Sequence, residues 1–146
     1  MKWIVTLTLL VAMTSPVLMA SPETDQQSIA RTMKLIWDRP DSPLQVEPVT
    51  IEGDHAVAGW TQQQRGGRAL LRRKGSGWSI VLCAGDSLLN ADTLRKAGLD
   101  EAQATALVKN VREAEARLPA ERMKQFALFQ GVVKMDAQHG QKPAGH

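Results

Sequence analysis

Few residues in this chain are suited to chemistry. They are one cysteine, Cys83, three histidines, His55, His139 and His146, and the methionine and carboxylates close to them. Cys83 stands in the stretch SIVLCAGD, positions 79–86, at the end of an apolar run. Two readings suit it. A thiolate is a soft metal ligand or a nucleophile, and a helix start just after Gly85-Asp86 would lower its pKa. A free cysteine beside Ile80, Val81 and Leu82 is more often a small buried hydrophobe, which stays reduced because neither oxidant nor a second thiol reaches it. His139 and His146 lie in the closing stretch MDAQHGQKPAGH with Met135. Imidazole, thioether and carboxylate donors suit copper or another soft metal. No pair of them has the spacing of a structural zinc site. The same glycine-containing stretch also fits a solvated end that would lose entropy on closing around an ion. His55 is expected at a strand start, facing solvent.

Catalytic templates are missing from the sequence. There is no HExxH, no GxSxG, no Walker loop and no dinucleotide fingerprint. Cys83, His55 and Asp86 are the residue types of a nucleophilic triad, but nothing in their spacing brings them together. Arg65-Gly66-Gly67-Arg68 could hold an anion through its arginines and amides, or simply close a hairpin. Met33 and Met123 sit at helical core spacing and are expected to be packing residues. Trp60 and Trp78 suit either a pocket wall or a small core. The chain is expected to be non-catalytic.

These residues must be positioned by a single domain, since 146 residues suit one core. The opening MKWIVTLTLLVAMTSPVLMA (1–20) has the form of a secretory signal peptide: Lys2, an apolar run, then Ser15-Pro16 and a small residue at Ala20. Export to the periplasm with cleavage near Ala20 is the expectation, leaving no stable membrane anchor. No cysteine stands immediately after the cut, which argues against a lipoprotein. The chain carries 18 basic and 15 acidic side chains. Losing Lys2 with the leader leaves a net charge of about +2, too small and too dispersed to argue for nucleic acid. One cysteine cannot form an internal bridge, so the core rests on apolar burial.

The periodicity predicts a helix over 26–37, with Ile29, Met33, Ile36 and Trp37 on one face. Four strands come next, over 44–52, 55–62, 68–73 and 78–83, separated by turns at Gly53-Asp54, Arg65-Gly66-Gly67 and 74–77. Pro48 suggests an edge or a bulge in the first. The fourth is almost continuously apolar and is expected to be central. Short helical turns over 87–97 precede a helix opened by Asp100 and Gln103, with Leu107, Val111, Ala114 and Leu118 on its buried stripe. Pro119 opens another. Val132-Val133 is expected to rejoin the sheet. The reading is α+β: an N-terminal helix, a four-stranded antiparallel meander, and C-terminal helices packed on the sheet. Residues 21–133 form the domain, and 134–146 form a flexible tail bearing histidine. Helices are expected on one face of the sheet, a layout that in curled form can enclose a pocket.

The string WDRPDSPLQVEPVTIEGDHAVAGWTQQQRGGRALLRRKGSGWSIVLCAGDSL, with LRKAGL and EAEARLPAERMKQFALFQGVVKM, resembles the small exported bacterial proteins called copper uptake system-associated. The likeness runs from about position 36 to 135. It is carried best by WDRP (37–40), GDHAVAGW (53–60), GGRALLRR (66–73) and LCAGD (82–86). The resemblance implies a periplasmic accessory to copper import, with copper ion and an import component as partners and with no catalytic residue to carry over. Such proteins tend to end in a histidine-bearing tail, often richer than the His139 and His146 found here. Cys83, Met135, His139 and His146 are the candidate copper ligands. The alternative is a periplasmic α+β module that binds a small ligand or a protein and has no metal role. The burial of Cys83 and the presence or absence of a cavity beside Trp60 and Trp78 bear on the choice.

Overall fold

The structure is a computed structural model, and it describes residues 21–135. The proposed leader and the His139 and His146 positions lie outside the described residues.

Helix α1 (Asp25–Trp37) starts at a capping box. Thr24 Oγ1 accepts from the Gln27 amide at 3.2 Å, and Gln27 Oε1 accepts from the Thr24 amide at 2.9 Å. This reciprocal pair satisfies donors that a helix start leaves unpaired. Ile29 and Met33 are fully buried. The helix is tied to the sheet at Asp25, which accepts from Arg73 at 2.9 and 3.0 Å and from Trp78 Nε1 at 3.1 Å.

The sheet has five antiparallel strands in the order β1 (Gln45–Glu52), β2 (His55–Gln62), β3 (Arg65–Lys74), β4 (Gly77–Ala84) and β5 (Val132–Lys134). The first four form the expected meander. The fifth returns from the far end of the chain and pairs with β4. Pro48 falls in an irregular stretch of edge strand β1, where the register shifts between Val46 and Val49. One expected turn is misplaced. Gly66 and Gly67 lie inside β3, and the hairpin closes at Gln63, whose φ is 55°. The glycines serve close packing instead. A Cβ on Gly66 would stand 2.6 Å from the Gln125 carbonyl oxygen, and one on Gly67 would stand 2.9 Å from Phe129 Cβ.

After β4 come a 3₁₀ turn (Asp86–Leu89), α2 (Ala91–Lys96), α3 (Glu101–Glu115) and α4 (Ala120–Phe126). Among the described residues, no helix is long and apolar enough to cross a membrane. The helices do not share one face of the sheet as expected. Helix α1 covers Ala56, Ala58, Ala69, Leu71 and Cys83, while α2 and α3 cover Val57, Leu70, Leu82 and Ala84. The reason lies in β2, β3 and β4, which are apolar at both parities and need cover on both sides. A bulge in β4 refines this split. Leu70 pairs with Leu82 while Leu71 pairs with Ile80, so Val81 is the extra residue. The insertion reverses the alternation. Val81 and Leu82 then both pack toward α3, and Cys83 turns toward α1.

Candidate functional site

Cys83 is the free cysteine of the chain, and it is 6% exposed near the end of β4. It lies between Ala69 of β3 and Val133 of β5 in the strand registers. Burial pushes its thiol pKa up to about 12. A charged thiolate is costly in apolar surroundings, so the group is protonated near neutral pH. The helix start after Gly85 was expected to move this pKa the other way. The element that begins at Asp86 is only a four-residue 3₁₀ turn, and desolvation outweighs it.

Met135 is the one tail candidate that the structure describes. It is half-buried and packs against the same apolar cluster as Cys83. Its amide donates to the Val81 carbonyl at 2.9 Å, so the sheet takes in the first two residues of the stretch read as tail. Val133 is the register partner of Cys83, and Met135, two residues on, falls on the same face. The fold therefore brings the thiol and the thioether to one side of β4–β5, at the point where the chain continues toward His139 and His146. Among the described residues, no group of three His, Cys, Asp or Glu side chains is placed to hold a metal ion.

His55 is not the solvent-facing residue expected. It is 8% exposed, with Nδ1 buried and unpartnered. Its pKa is lowered by burial and by Arg72, against the opposing charge of Asp54. By alternation with Val57 it belongs to the α3 face, opposite Cys83. Cys83 and His55 thus stand on opposite sides of the sheet, and the geometry of a triad is absent.

The arginines of the RGGR stretch also part company. Arg65 is exposed, whereas Arg68 is 1% exposed and paired with two carboxylates. Its guanidinium grips Glu115 through two bonds of 2.7 Å, reaches Asp86 at 3.0 Å, and lies 5.4 Å from the Phe126 ring centroid. Burial alone would lower the Arg68 pKa, but the hydrogen bonds and charges of Glu115 and Asp86 raise it overall. Buried and already paired with two carboxylates, Arg68 offers an anion from solution no accessible charge. Sequence reasoning missed this network, although a signal was present. Ala104, Leu107, Val111 and Glu115 form the buried stripe of α3, in place of the expected Ala114 and Leu118. A glutamate at helical spacing from Leu107 and Val111 needs a polar partner when buried, and a basic residue opposite it is the natural one.

The tryptophans serve the core. Trp78 is 6% exposed and lies under Arg73, 4.4 Å from ring centroid to guanidinium carbon. Trp60 meets Phe129 edge-on at 6.0 Å. Two concavities stand out, and both are outside the sheet–helix interface. One of ≈ 460 Å³ runs along the outer side of α1 beside Arg31, Lys34 and Leu35. The other, of ≈ 540 Å³, is lined by Asp92, Arg95, Lys96 and Asp100.

Of the large apolar side chains that remain exposed, Met123, Leu128, Val132 and Val133 all belong to the stretch from α4 to β5, and Leu35 stands apart on α1. Compared with protein-family models, with curated proteins and with solved structures, the chain matches none.

Proposed function

We propose that this chain is a non-catalytic periplasmic accessory to copper uptake that works through its C-terminal segment. The segment docks on an import component and presents soft donors to copper ion as cargo. One observation carries the reading: the exposed apolar residues Met123, Leu128, Val132 and Val133 lead directly into the stretch bearing Met135, His139 and His146. Exposed apolar side chains gathered on one segment mark contact with a partner. Thioether and imidazole suit copper in either oxidation state. Cys83 is the weaker donor in this arrangement, because its thiol is covered and protonated.

The test is genetic. Disrupting the gene in the source organism should lower cellular copper under limiting supply. The full chain should restore it, and a chain ending at Met135 should not. Unchanged copper after disruption would sink the proposal.

A second reading has an observation of its own. Leu35 is 74% exposed beside the concavity on α1, which fits a protein or small-ligand module with no metal role. A partner captured equally well by a Leu35→Ser variant and the parent would count against it.

A further inference from the structure

The shortest strand of the sheet lies directly beside Cys83, whose side chain is 6% exposed. Strand β5 has three residues, all exposed, and pairs with β4 only at Leu82–Lys134, Cys83–Val133 and Ala84–Val132. The Met135 amide adds one further bond to Val81. Strand β4 does not depend on it, since β4 is paired with β3 from Gly77 to Ala84. The segment before β5 is held quite differently. Phe126 packs into the space left by Gly59, Gln125 lies against Gly66, and Phe129 lies against Gly67 and Gly85. A Cβ on Gly85 would stand 2.7 Å from the Phe129 carbonyl oxygen, so the backbone there is seated closely. Between the seated Phe129 and the thin strand is Gly131, with φ +71° and nothing within 4 Å of where a Cβ would be. Firm anchor, glycine joint and short ladder come one after another in sequence.

We infer that residues 131–135 form a strap that leaves β4 as a unit about Gly131, uncovering Cys83 and freeing the C-terminal segment to extend. Short elements with few buried contacts open at much lower free energy than the whole fold. Closed, the strap places Val133 beside Cys83 and Met135 on the cluster that contains it. Open, it releases five residues. At about 3.3–3.6 Å per extended residue, those five residues span roughly 17 Å. The structural claim is independent of copper. Its use, extending the segment toward a partner, rests on the function proposed above.

The experiment uses Cys83 as its own reporter, without metal. Mature protein, residues 21–146, is labelled with a maleimide under native conditions. A chain ending at Gln130 and a Gly131→Ala variant, which strains the joint at positive φ, are labelled alongside. The strap requires labelling to rise at least ten-fold in the shortened chain and several-fold in Gly131→Ala, with urea midpoints close to that of the parent. Amide exchange gives a second readout that needs no variant: the Met135 N–H should exchange far faster than amides paired between β2 and β3. Equal labelling in all three chains would show that α1 alone covers the thiol and would overturn the inference. So would labelling, or Met135 exchange, that proceeds only at the rate of global unfolding. A working strap in a protein that ignores copper would leave this inference standing and remove the function proposed above.

Discussion

Removing the Glu115 carboxylate should be the most damaging single polar change in this protein. Arg68 and Glu115 side chains are each 2% exposed and joined by two bonds of 2.7 Å. In a Glu115→Ala variant the guanidinium would keep only Asp86, whose carboxylate is 70% exposed. Breaking a buried pair from one side leaves an uncompensated charge, at a cost of about 3–5 kcal/mol. For a domain of this size that is a fall in Tm of roughly 12–20 °C, at about 4 °C per kcal/mol. Replacing both partners, as in Arg68→Met with Glu115→Leu, removes the stranded charge. The double variant should lie within about 1 kcal/mol of the parent or above it. Asp86→Asn should cost no more than about 1 kcal/mol, because solvent already screens that group. Urea unfolding followed by circular dichroism measures all four, and parallel m-values show that the same fold is being compared. The reasoning fails if Glu115→Ala costs less than about 1 kcal/mol. It also fails if the double variant is as unstable as the single one.

Further predictions concern packing and pH. Gly66→Ala drives a Cβ against the Gln125 backbone and should cost about 1–3 kcal/mol by urea unfolding. Gly77→Ala, whose nearest neighbour would be 3.9 Å away, should stay within about 0.5 kcal/mol. His55 has a lowered pKa in the fold, so the unfolded chain takes up its proton first. Its contribution is present above the unfolded value of about 6.5 and is lost as pH falls below it, and a His55→Gln variant should show a flatter urea midpoint between pH 7 and 5. Asp25 is held below the usual aspartate range by its hydrogen bonds from Arg73 and Trp78. Its contribution is present above the unfolded value of about 3.9 and is lost as pH falls toward the folded one, so Asp25→Asn should lessen the acid sensitivity of Trp78 fluorescence below pH 4.

The sheet was readable because its turns are marked and its strands are short apolar runs between them. The Gly53 and Gly75 turns stand where expected, with φ of 57° and 58°. The Gly66-Gly67 pair misled because glycine serves two needs that look alike in sequence: a bend, and room for a neighbour. Here the neighbour is the backbone of Gln125, distant in sequence, and no local pattern announces it. The placement of helices on both faces was implicit in the continuous apolar run of β4, but the bulge at Val81 that turns Cys83 toward α1 was not. Fewer of the candidate ligands were legible as a set. Sequence grouped Met135 with the histidines after it. The fold adds that Met135 shares a face with Cys83, a consequence of β5 register that a three-residue strand hardly signals. His55 was misplaced because a polar residue at a strand start looks solvated, whereas here the β1 and β3 strands flank it.

The central claim is that the C-terminal segment handles copper, and a competition titration tests it most directly. The chain from Ser21 to His146 and one ending at Met135 are each titrated with Cu(I) against a chromophoric chelator, with Cys83→Ser beside them. The account predicts that the full chain withdraws Cu(I), that the chain ending at Met135 binds at least ten-fold more weakly, and that Cys83→Ser changes little. Equal binding by the full and shortened chains, or binding by neither, would contradict it.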